Sequence, residues 1–136
     1  MIVFDTNVVS EPLRPTPHHG VLRWMGAVAE PALTAVTMGE LLRGAESLPA
    51  GRRRQDLLAA IEATLATWAV VLPYDTAAAR CFAALCAKAK SLGRGLSVED
   101  AMIAATCVSR GATLATRNSK DFDWMGLTVV NPWELV

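Results

Sequence analysis

Ile2-Val3-Phe4-Asp5-Thr6-Asn7 governs how the rest of the chain is read, because an apolar, partly β-branched run ends abruptly in an acid. Such a run reads as a strand that delivers Asp5. In an open α/β sheet the ligand crevice lies just beyond the carboxyl ends of the strands, so an acid emerging there is placed for chemistry. A second reading makes Asp5, Thr6 and Asn7 the cap of a helix that continues through Val8 and Val9. The segment alone leaves both open.

The same transition, from an apolar run to a polar cluster, recurs downstream. Pro31-Ala32-Leu33-Thr34-Ala35-Val36 reads as a second strand, and Thr37-Met38-Gly39-Glu40 as the opening of a helix through Leu41, Leu42 and Ala45 that holds Glu40 in its first turn. Thr37 and Glu40 have the spacing of a capping box, which by itself accounts for Glu40. Val70-Val71-Leu72 gives a third strand, and Asp75 caps a helix that ends near Gly93. The helix from Leu96 to Val108 opens on Ser97-x-x-Asp100, again a capping-box spacing. Here Asp100 shares a face with Ile103, Ala104 and Cys107, a costly place for a charge without a partner, so a functional role is favoured. Ala112 to Thr116 is a fourth strand feeding the cluster Arg117-Asn118-Ser119-Lys120-Asp121-Phe122-Asp123, and Leu127 to Val130 a fifth before the turn Asn131-Pro132-Trp133.

Between these lie a short helix from Val8 to Leu13 stopped by Pro12 and Pro15, an amphipathic helix from Val21 to Ala29, and a long helix from the run Arg52-Arg53-Arg54 to about Thr67. The three arginines read as a solvated helix start, since consecutive side chains project in different directions. His18 and His19 are adjacent and diverge, which argues against metal ligation. Strands alternating with helices imply one domain over residues 1–136, an α/β/α arrangement with a central, mostly parallel sheet.

Composition narrows the function classes. Hydrophobic residues make up 52% of the 136 and charged residues 19%, so a covered apolar face, in a partner or a second copy, is expected. Lysine plus arginine number 13 and aspartate plus glutamate 13, which leaves no global positive field to draw in nucleic acid. Any such contact must be local, and the basic stretch Lys88 to Arg94 is either a rim touching phosphates or a solvated loop. Cys81, Cys86 and Cys107 fit no CxxC spacing and read as reduced core residues without disulfide or zinc. Glu62 interrupts the most apolar region, Leu57 to Leu72, so a soluble, unexported, cytoplasmic protein without membrane contact is expected.

Asp5, Glu40, Asp100 and Asp121 thus all fall just past a strand or in a helix's first turn, the end of a sheet where an α/β site forms. Gathered carboxylates resist ionising unless a divalent cation neutralises them. An all-oxygen set suits Mg²⁺ or Mn²⁺, which polarise a phosphate and make an attacking hydroxide from bound water.

The segments Val3-Phe4-Asp5-Thr6-Asn7, Thr37-x-x-Glu40-Leu41, Glu99-Asp100-x-x-Ile103-Ala104-Ala105-Thr106 and Thr116-Arg117-Asn118-x-x-Asp121-Phe122 resemble, in order, the motifs of PIN-domain proteins. The likeness spans nearly the whole chain and is nearest to the VapC-type toxins of bacterial toxin–antitoxin pairs. It implies a three-layer PIN fold, a homodimer, Mg²⁺- or Mn²⁺-dependent endoribonuclease activity on RNA, and inhibition by a cognate antitoxin that occupies the groove. DNA would be bound only through that antitoxin. By the same resemblance Asp5, Glu40, Asp100 and Asp121 form the catalytic, metal-holding site, with Asp5 and Asp100 as direct ligands and Glu40 and Asp121 acting through water. Thr6 and Thr116 match positions where a hydroxyl supports the site. Asn118 stands where many PIN proteins outside this branch have another acid, which leaves a second metal open. Asp123 is a weaker site candidate, equally well read as a turn residue.

Arg117, Lys120, Lys88, Lys90 and Arg94 are candidates for holding the RNA backbone, and Arg43, one turn after Glu40, for pairing with it or meeting the antitoxin. Two other readings are weighed against this one. The Asp5-x-Asn7 ending is similar to that of haloacid-dehalogenase-type phosphatases, but these need a second aspartate where Asn7 stands. A FitB-like PIN regulator, with little catalysis and DNA binding through its partner, shares the acids and stays open.

Overall fold

Val3 and Phe4 point to opposite faces of one strand, and the core divides accordingly. A computed structural model describes residues 1–68 and 70–135. Its strands are β1 (Ile2–Phe4), β2 (Pro31–Thr34), β3 (Val71–Leu72), β4 (Thr113–Ala115) and β5 (Val129–Val130). Between them run α1 (Thr6–Val9) with a 3-10 turn at Glu11–Leu13, α2 (His19–Ala27), α3 (Ala35–Glu46), α4 (Arg52–Ala66), α5 (Thr76–Ser91), α6 (Val98–Arg110) and α7 (Ser119–Phe122). The strand order is β3-β2-β1-β4-β5. Every pairing is parallel, with Val3 beside Ala32 and Leu114 in register.

Val3, Ala32 and Leu114 pack on Leu85, Ile103, Ala104 and Cys107 of α5 and α6. Phe4, Leu33 and Ala115, one residue on in each strand, pack on the opposite layer with Val8, Leu41, Ile61 and Leu65. Both faces of the central strands are therefore dry, which explains why they read as continuous apolar runs. Phe4 anchors the second layer, its ring 5.4 Å from that of Trp24 and edge-on to Trp68 at 5.1 Å. Among the described residues no helix is long and apolar enough to cross a membrane, and the three cysteines are free thiols.

Several sequence-derived boundaries move, each for a local reason. The second strand stops at Thr34, two residues earlier than expected, and the Thr34 hydroxyl accepts from the Thr37 amide at 3.1 Å and so caps α3 in place of Thr37. Ala35, Val36 and Thr37 are helical despite two β-branched side chains, and Glu40 lies in the second turn of α3. Lys88 and Lys90 belong to the last turn of α5 and not to a loop. That helix ends in a Schellman turn, with the Arg94 amide donating to Ala89 and that of Gly93 to Lys90 while Gly93 takes φ +66°. Gly111, at φ +62°, ends α6 in the same way and turns the chain into β4. The third strand pairs over Val71–Leu72, with the Val70 carbonyl still accepting from Leu33; Ala69 lies outside the described residues.

Candidate active site

β1 is the central strand, and Asp5 leaves its carboxyl end with its amide held by the Ala115 carbonyl at 2.9 Å. Asp5 ends the central strand and caps the next helix at once. It caps α1, its Oδ1 accepting from the Thr6 amide at 2.8 Å, and it is the most buried acid of the cluster, 4% exposed. Its Oδ2 accepts from the Thr116 hydroxyl at 2.8 Å and from Asn7 Nδ2 at 3.3 Å. Burial pushes the carboxyl up to about 6; the bonds from Thr116 and Thr6 pull against this, and the charges of Asp100 and Glu40 add to it.

Glu40 approaches from α3. The Thr6 hydroxyl donates to Glu40 Oε1 at 2.6 Å, and the Thr37 hydroxyl lies 3.1 Å from that of Thr6. Asp100 arrives from the first turn of α6, where the Ser97 hydroxyl accepts from its amide at 3.2 Å. This is one half of the expected capping box. The Asp100 carboxyl is raised above its ordinary value, first by desolvation and then by Glu40, Asp121 and Glu99, with Ser97 pulling it down. Asp121 sits on the exposed surface of α7 and reaches the group through its charge on Asp100.

The four acids therefore meet at one edge of the sheet, on three helices and a strand end. Among the described residues no three acid, histidine or cysteine side chains stand as a ready-made metal cage. The donor set is nevertheless all oxygen, and Asp5 and Asp100 are both short of positive charge, which fits a hard divalent cation.

Two residues outside the expected site belong to it. Asn7 joins three parts of the rim: its Nδ2 reaches Asp5 and the Thr116 hydroxyl, the latter at 3.3 Å, and its Oδ1 accepts from the Arg117 amide at 3.1 Å. Its signal was the motif Asp5-Thr6-Asn7 itself, in which it reads as a cap. Thr37, read as a helix cap, is instead a buried hydroxyl behind Glu40. Asn118 turns its amide to the Thr116 hydroxyl at 3.1 Å, while its side chain makes no cap on α7.

The other candidates fall at the periphery. Arg43 reaches Glu99 at 3.8 Å and not Glu40, because the start of α6 lies across its path. Asp123 is the exposed C-cap of α7. Lys120 is exposed on α7, and Lys88 and Lys90 are exposed on α5. Arg117 lies over the Trp133 ring and Arg94 over that of Trp124. Glu11, buried under the 3-10 turn, is no part of the cluster. Burial alone would raise it, but the His18 amide and Arg14 prevail and hold its carboxyl below the ordinary range.

A parallel sheet in this order with acids gathered beyond its central strand is the architecture of a PIN domain, and the PIN-domain pattern matches residues 2–125; the chain belongs to that family. Within the family it is of the VapC type. It is 41% identical to the VapC ribonuclease Y4jK of Sinorhizobium fredii, over 98% of this chain and 99% of that one. The crystal structure of FitAcB from Neisseria gonorrhoeae superimposes with a TM-score of 0.90 at 36% identity, covering 98% of this chain and 99% of that one. DNA-bound VapBC from Salmonella typhimurium gives 0.83 at 26% identity, over 96% and 97% of the two chains.

Proposed function

We propose that this chain is the toxin of a toxin–antitoxin pair and acts as an Mg²⁺- or Mn²⁺-dependent endoribonuclease. The observation that carries the reading is the convergence of Asp5, Glu40, Asp100 and Asp121 at the carboxyl edge of the sheet, with burial and mutual repulsion raising Asp5 and Asp100. Kinship with a protein named a VapC ribonuclease supplies the substrate class. In this reading Asp5 and Asp100 hold the cation directly, and Glu40 and Asp121 act through water. The ion would polarise a phosphodiester and lower the pKa of bound water.

The chain's own work is orientation. Thr116, the Thr6 amide and Asn7 fix both oxygens of Asp5, and the Thr6 hydroxyl fixes Glu40, so the acids keep their geometry while carrying charge. An apolar hollow of about 430 Å³, lined by Leu13, Glu40, Leu41, Leu57 and Ile61 among others, gives an antitoxin segment a seat beside the acids. A homodimer in the cytoplasm, reaching DNA only through its antitoxin, completes the proposal. A second reading, a FitB-like regulator with little catalysis, is favoured by the likeness to the FitAcB chain.

Labelled total RNA incubated with the protein, freed of any partner, in Mg²⁺, Mn²⁺ or EDTA separates the two. Discrete, metal-dependent fragments that Asp100→Asn abolishes are expected. Intact RNA beside a folded, metal-loaded protein would sink the nuclease and leave the regulator.

A further inference from the structure

Five of the ten arginines are tied to acids: Arg14 to Glu11, Arg43 to Glu99, Arg52 to Asp56, Arg54 to Glu46 and Arg110 to Asp75. Arg94 and Arg117 are held differently. The Arg94 guanidinium lies 5.4 Å from the centre of the Trp124 ring, and that of Arg117 5.1 Å from the centre of the Trp133 ring. Among the described residues neither makes a direct ion pair, although the charge of Arg117 helps Arg14 to hold the Glu11 carboxyl low. An indole face fixes the orientation of a guanidinium without neutralising it and leaves its N–H fork free for a bidentate anion.

Both pairs are braced to the acidic edge. Trp124 donates its indole N–H to the Asp121 carbonyl at 2.9 Å. Arg94 is set by the Schellman turn of α5, three residues ahead of the Ser97 cap that positions Asp100. On the other side Asn131 ties Arg117 to Trp133, its Nδ2 donating to the Arg117 carbonyl at 3.2 Å and its Oδ1 accepting from the Trp133 amide at 3.0 Å. The Arg117 amide is bound to Asn7, which itself reaches Asp5. One pair therefore adjoins Asp121 and Asp100, and the other adjoins Asp5. A polar hollow of about 260 Å³, lined by Arg117, Lys120, Asp121 and Asn131 among others, opens between the second pair and α7.

We infer that the Arg94–Trp124 and Arg117–Trp133 pairs are a two-point grip for the phosphates of single-stranded RNA on either side of the acidic site. The inference rests on the ribonuclease reading for its substrate class. With 13 basic and 13 acidic residues the chain has no long-range attraction for a polyanion, so the grip must come from a few oriented cations outside direct ion pairs. Arg94 and Arg117 are positioning residues in this scheme, since the acids perform the chemistry.

The test is binding of a short, labelled single-stranded RNA of mixed sequence, followed by anisotropy in EDTA across a salt series, with cleavage in Mn²⁺ measured separately. Arg94→Gln and Arg117→Gln are each expected to weaken binding about 5- to 10-fold and to flatten the slope of log affinity against log salt by about 0.7, one single-strand phosphate contact apiece. KM should rise with kcat within about 2-fold. Arg53→Gln, which removes an equal charge from the exposed start of α4, should leave affinity and slope unchanged. Arg117→Lys should recover the slope but only part of the affinity, since it keeps the charge and loses the stack. Losses no larger than those of Arg53→Gln would overturn the grip, as would an equal loss on labelled duplex DNA or a wild-type protein that binds no RNA. RNA bound through both arginines but never cut would keep the grip and sink the nuclease.

Discussion

The two halves of the acidic edge are built on opposite plans. Around Asp5 both carboxylate oxygens are bound, and a backbone amide, two threonine hydroxyls and an asparagine hold buried Asp5 and half-buried Glu40 in place. Around Asp121 the acid rides a single turn of helix at the surface and meets its neighbours through its charge. The contrast teaches a division of labour. The first half is paid for in stability, because buried carboxylates resist ionising, and it holds its geometry in advance. The second half is cheap to build and stays open to a substrate.

The largest effect should separate these halves directly. Asp5→Asn is expected to reduce metal-dependent cleavage by well over 100-fold, whereas Asp121→Asn should fall in the roughly 10- to 100-fold range typical of groups acting through an intermediary. Initial rates on a labelled RNA at saturating Mn²⁺ measure both, and the reverse order would break the comparison. Next comes Thr116→Val, which keeps the shape of the side chain but removes the hydroxyl that Asp5 accepts from. We expect about 10- to 100-fold lower metal affinity or activity and a loss of about 1–3 kcal/mol in urea unfolding. Unchanged metal affinity would mean that Asp5 needs no fixing.

The third prediction concerns pH. Asp5 titrates near 6 when folded, above its ordinary 3.8, so the folded chain holds an extra proton between these values. Stability of the metal-free protein should therefore fall as pH rises through that interval, by up to roughly 3 kcal/mol for this one group. Glu11 has the opposite sign, its lowered carboxyl contributing stability above its unfolded value and losing it only as pH falls through the lower folded one. Urea midpoints in EDTA at pH 5 and 7.5, for wild type and Asp5→Asn, isolate the effect. Wild type should lose ground to the variant at the higher pH, and excess Mn²⁺ should restore it. A difference between them that does not move with pH would remove Asp5 from the account.

The strands and the gathering of the four acids were legible because apolar runs end where polar residues begin, and a parallel sheet brings those endings to one edge. Short-range ambiguity hid the start of α3, where Thr34 and Thr37 are both able caps. Tertiary packing chose the earlier one and left Thr37 free to back Glu40. The role of Asn7 and the partner of the Thr116 hydroxyl, which the family resemblance had offered only as a supporting group, were hidden for a different reason. Their contacts link residues more than a hundred positions apart, and no local pattern encodes such a meeting. Arg43 shows the limit of helical spacing as a guide, since its neighbour in α3 lost to an acid on α6.

The bond between Thr116 and Asp5 spans 111 residues, because β1 is made first and its partner β4 near the end. Asp5 lies near one end of the sequence, whereas its hydroxyl donor, the β4 ladder beside it and Asp121 all lie more than a hundred residues further on. A chain cut short before residue 116 would lack the Thr116 hydroxyl and Asp121 together, so Asp5 would lose the groups that orient it from the β4 side.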